Sequence, residues 1–76
     1  MEKHDLRHEF PQFEQKITEL KTSNHHFRSL FDQYHEVNNQ IYRIEMNVEV
    51  HSDELLNALR HKRVNIKDQI FVILTN

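Results

Sequence analysis

Four groups of residues in this chain have types and spacings that could support chemistry. His4, His8 and Glu9 stand within about one turn of a helix, and two imidazoles four apart on a helix can hold Zn²⁺ or Ni²⁺. No third ligand is fixed nearby and Pro11 follows at once, so the rigid support that orients metal ligands is missing. A polar terminus is the preferred reading, and no metal is assigned. His25 and His26 are adjacent, diverge by about 100° on a helix and cannot chelate together; they suit capping or solvent. Asp53 and Glu54 are explained by the favourable field at a helix start. No grouping of Ser, His and Asp has a supporting glycine-rich turn. The chain therefore reads as a non-enzyme with no catalytic residue and no cofactor.

The fourth group is basic. Arg60, His61, Lys62, Arg63 and Lys67 form the one basic cluster, and Arg60, Arg63 and Lys67 share a helical face. That face would suit an acidic partner or nucleic acid. Against this, Arg63 falls on an apolar seam where its stem can lie along the core edge, Asp68 and Glu36 dilute the field, and no aromatic stands in the cluster to stack on bases. A solvated, partly structural face is the default, and nucleic-acid binding is kept as the alternative function.

The elements that must carry these groups follow from composition and periodicity. Seventy-six residues make one small domain, with 10 basic and 12 acidic side chains and a formal charge of −2. Such a chain offers nucleic acid no strong overall field. Its seven His titrate near pH 6.5, which predicts pH-sensitive solubility. No Gly and a single Pro leave little material for tight hairpin turns, so the expectation is an all-α fold. No Cys is present, which excludes disulfides and fits a reducing, cytoplasmic setting. No apolar run approaches the ~20 residues of a membrane span.

Residues 1–10 are charged and His-rich, and a loose start is expected there. Pro11 suits a first helical turn, and Phe13, Ile17 and Leu20 then fall on one face. This gives a short helix over 11–21. Thr22 to His26 collect poor helix formers and potential caps, so a break is placed there, the rival being one bent helix. From Phe27 the residues Leu30, Tyr34, Val37, Ile41, Ile44 and Val48 recur at alternating gaps of three and four, giving a second helix over 24–46. Residues 47–51 read as a loop. Ser52 then caps a third helix, 53–74, whose Leu56, Leu59, Arg63, Ile66, Ile70 and Ile73 repeat in the same way. Two such seams joined by a short loop should form an antiparallel, coiled-coil-like helical hairpin. Each arm would be about 33 Å long at 1.5 Å per residue, with the polar pair Asn38 and Arg63 within the seam.

The residues Phe27-Arg28-Ser29-Leu30-Phe31-Asp32, then Ile41 and Glu45, with Ile66-Lys67-Asp68-Gln69-Ile70 and Leu74, resemble the small bacterial YdcH-like proteins, a family of unknown function. The likeness covers the last two-thirds of the chain well and Phe10-Pro11 weakly. It implies a helical hairpin with coiled-coil character and no established activity. The chain departs from the family in having Asn24-His25 where Asn-Pro is usual, Tyr34 where His is common and Asn38 where Asp is common. The last change would turn an ion pair with Arg63 or Lys62 into a neutral hydrogen bond.

What the two seams cannot use points to function. Val64 and Phe71 lie off the seam of the third helix, and Phe10, Phe13, Ile17 and Leu20 belong to a helix outside the pairing. Either the first helix folds back beside Phe71 and Leu74, or these residues meet another chain. The thin core of a bare hairpin tips the reading toward self-association. Phe10, Phe13, Ile17, Leu20, Val64 and Phe71 are therefore the expected interface with a protein partner or a second copy.

Overall fold

A computed structural model describes residues 5–46 and 52–76. His4, Val48 and the expected loop at 47–51 lie outside the described residues. Every element among the described residues is helical. Asp5 opens the first, α1 (Leu6–Glu9), its carboxylate accepting the His8 N–H at 2.8 Å. A 3₁₀ turn, Pro11–Phe13, follows and leads into α2 (Glu14–Ser23). The hairpin consists of α3 (His25–Glu45) and α4 (Asp53–Leu74).

The expected break is real and narrower than 22–26, being a single residue. Asn24 is extended, with φ −136° and ψ 107°, and it ends α2 and starts α3 together. Its side-chain oxygen accepts the Phe27 N–H at 3.0 Å while its own N–H donates to the Leu20 carbonyl. One residue thus satisfies groups at both helix ends, which is why neither Gly nor Pro is needed. Ser52 caps α4 in the expected way, accepting from the Leu55 N–H at 3.1 Å.

The two long helices run antiparallel. Arg60, early in α4, reaches Glu45 at the end of α3 at 3.4 Å, and Arg63, one turn on, reaches Asn38 farther back at 3.4 Å. The longest dimension, 38 Å, is close to the arm length that helical rise predicts. On α3 the seam is buried throughout, at Phe27, Leu30, Tyr34, Val37, Ile41 and Ile44. On α4 it drifts: Leu56 and Leu59 near the loop are half-buried, whereas Ile66, Ile70 and Leu74 are fully buried and Ile73 is not. The cause is a second neighbour. Among the described residues only α3 covers the start of α4, while at the far end the N-terminal segment packs alongside and turns the buried arc toward Leu74.

That N-terminal packing corrects two expectations. The start of the chain is not loose from residue 5 onward: Leu6 and Phe10, four apart on one short turn, are both buried. Ile17 is completely buried, in the same apolar cluster as Phe27, Ile70 and Leu74. Phe10 and Ile17 therefore cannot serve as a free interface, because they already cover the hairpin of their own chain. Phe13 and Leu20 are half-buried against the same cluster.

Candidate functional site

The far end of the hairpin is held to the N-terminal segment by one aromatic stack and two lysines. Phe10 stacks on Phe71 with ring centroids 5.6 Å apart, and Phe13 tilts against Phe10 at 6.4 Å. The Lys67 ammonium donates to Glu9 at 2.9 Å, in a partly buried setting where such a pair is screened less than on the open surface. Lys16 of α2 donates to the Leu74 carbonyl at 2.8 Å and to the Asn76 carbonyl at 3.4 Å. A cation there satisfies the Leu74 carbonyl, which α4 leaves without an intrahelical donor, and it complements the negative end of the helix dipole.

Inside the seam lies a short polar string. Tyr34 is fully buried; burial pushes its phenol above the ordinary range, the Glu9 carboxylate adds to this, and a hydrogen bond with Asn38 and the charge of Arg63 oppose it. Asn38 in turn accepts from Arg63. The pairing of Asn38 with Arg63 expected from the seam positions is therefore present. The Tyr34 hydroxyl extends it to a third residue, and a buried hydroxyl needs such a partner.

The outer side of α4 remains open. Val64 is 55% exposed, Phe71 44% and Val72 60%. Val64 and Phe71 are seven apart and so lie on one side of the helix. Of the six residues expected to form an interface, these two remain available, Phe71 only in part because its ring stacks on Phe10. Val72 was missed by the sequence reading, as were the exposed Tyr42, Met46 and Leu55 toward the loop end. The basic residues are spread rather than gathered. Arg60 is tied to Glu45, Arg63 to Asn38 and Lys67 to Glu9, so each shares its charge with a neighbour on another helix. Glu9 and Lys16 were also missed as functional positions. Their partners lie 58 residues away, and no local pattern signals that distance.

Among the described residues no group of three His, Asp or Glu side chains is placed to hold a metal ion. His8 is instead turned onto Asp5, its Nδ1 2.9 Å from the carboxylate. Accepting the His8 backbone N–H holds the Asp5 carboxyl below the usual carboxylate range. No helix among the described residues is long and apolar enough to cross a membrane.

Residues 27–74 match the model of a family described as a protein of unknown function, DUF465. The chain belongs to this family. The match spans α3, α4 and their connection, which is where the resemblance to YdcH-like proteins was strongest, and it leaves α1 and α2 outside. No curated protein and no solved structure matches the chain. The family shown has no assigned activity, and in this chain the far end of the matched hairpin is covered by residues that lie before the match.

Proposed function

We propose that this protein is a non-enzymatic protein-interaction module that docks through the outer side of α4, and that a second copy is its first partner. The observation that supports this is the exposure of Val64, Phe71 and Val72 after the N-terminal segment has taken its place. Folding has used every other large apolar side chain near that end. Fully burying a Val or Phe contributes about 1.5–3 kcal/mol; these three are about half exposed, so docking gains roughly half of that from each before ordering costs. Such an interface gives reversible association rather than a permanent oligomer. The setting proposed for it is the cytoplasm.

Sedimentation of the full chain over a wide concentration range tests the proposal. The expected result is concentration-dependent self-association that Val64→Asp and Val72→Asp abolish with helicity retained. Val64 and Val72 are the informative positions, since Phe71 also supports Phe10. A strictly monomeric wild type, together with identical co-purified proteins for wild type and the double variant, would overturn it.

A further inference from the structure

A small open cleft of about 160 Å³ lies where the N-terminal segment meets the hairpin, lined by Asp5, Leu6, Arg7, Lys21, Phe31 and His35. Its charges come from separate elements: Asp5 and Arg7 from the start of the chain, Lys21 from α2 and His35 from α3. Its floor is aromatic. The Phe31 ring lies against the His35 ring with centroids 4.4 Å apart, and the Lys21 ammonium stands 4.6 Å from the Phe31 centroid.

The cations set this cleft apart. Elsewhere Arg28 reaches Asp32 at 3.1 Å, Arg60 reaches Glu45 and Lys67 reaches Glu9. Arg7 and Lys21 make no ion pair among the described residues. The one carboxylate in the cleft, Asp5, accepts from the His8 N–H and meets its ring, and it keeps its charge. With no ion pair of their own, Arg7 and Lys21 set two cations against the single Asp5 charge beside aromatic rings, an arrangement that attracts a negative head and offers a flat body a ring to lie against.

We propose that this cleft binds a small organic phosphate monoester, its phosphate held by Arg7 and Lys21 and its planar body lying against Phe31 and His35. Guanidinium and ammonium groups are the usual donors to phosphate oxygens. The volume suits a phosphate and a single ring. Because Arg7, Lys21 and His35 belong to three segments, the occupant would also tie the N-terminal segment to α3. The site shares no residue with the outer side of α4, so it stands or falls independently of the docking proposal.

The imidazole of His35 supplies a reporter. It is held below its ordinary value chiefly by burial, with Lys21 acting in the same direction and Asp5 and Asp32 opposing; Arg7 is the remaining charge on the cleft wall. A bound phosphate adds negative charge beside the ring and favours the imidazolium, so the titration of His35 moves upward on binding.

The experiment is NMR titration of the full chain with phenyl phosphate and, separately, inorganic phosphate. Phenyl phosphate should bind with a Kd of about 1 mM or tighter and move the Phe31 and His35 ring signals, and Arg7→Gln with Lys21→Gln should weaken it by about tenfold or more. Inorganic phosphate should bind more weakly by about fivefold, for want of a ring to stack. Lys62→Gln, elsewhere on α4, should change nothing. Unmoved signals at about 20 mM phenyl phosphate would overturn the proposal, as would equal binding by wild type and the double variant, or equal affinity for both probes. Circular dichroism of the double variant separates loss of binding from loss of fold.

Discussion

Replacing Ile17 by Ala tests how the N-terminal segment is used. Ile17 is completely buried, yet it lies outside the matched hairpin. The substitution removes three carbons, which at about 0.8 kcal/mol per buried CH₂ is about 2.4 kcal/mol of transfer free energy. A cavity cost of about 24 cal/mol per Å³ of unrelaxed space adds to this. The better helix propensity of Ala returns a few tenths of a kcal/mol. The net expectation is about 3 kcal/mol, a large share of the roughly 4–11 kcal/mol available to a domain of this size. In a domain this small it corresponds to a fall in Tm of about 12–24 °C. Urea unfolding followed by circular dichroism at several protein concentrations is the assay. The loss should be the same at every concentration, because the contacts of Ile17 are within one chain. A loss below about 1 kcal/mol, or one that changes with concentration, would refute the reasoning and place α2 against another molecule.

Three further outcomes follow from individual contacts. The neutral imidazole of His35 is favoured in the fold, so the unfolded chain binds the extra proton. Its contribution to stability is full above about pH 6.5 and is lost as the pH falls below that; urea midpoints between pH 7.5 and 5 should show a decline that His35→Gln flattens. Asn38→Asp should convert the 3.4 Å contact with Arg63 into a charge-assisted pair worth up to about 1 kcal/mol, seen as a higher urea midpoint that salt diminishes; a lower midpoint at low salt would count against it. Lys16→Met removes the cation from the Leu74 and Asn76 carbonyls and should cost about 1 kcal/mol. Hydrogen exchange would show this as faster amide exchange at the end of α4, with the loop end unchanged.

The hairpin was legible because its information is local. Alternating gaps of three and four from Phe27 to Ile44 define a helix with one apolar side, and a matching repeat after a short connection requires an antiparallel partner. The bounds of α4 and the pairing of Asn38 with Arg63 follow from that register. The N-terminal segment was harder to read because its partners are far off in sequence. Leu6 and Phe10 are only two apolar residues among charges, a pattern equally compatible with a frayed end. Asp5 as a cap, three residues before His8, was the local signal that a turn begins there.

Sequence by itself determined the all-α class, the two seams and the polar mismatch between them, since each depends on periodicity within a helix. Only the tertiary structure decided which apolar residues are spent on folding. Phe10 and Ile17 looked as free as Val64 and Phe71 in the sequence, because a helical wheel shows which way a side chain faces but not what lies opposite. Packing of the N-terminal segment against α3 and the far end of α4 buries the former pair and leaves the latter exposed. The same packing creates the cleft at Arg7 and Lys21, whose lining comes from segments no local pattern connects.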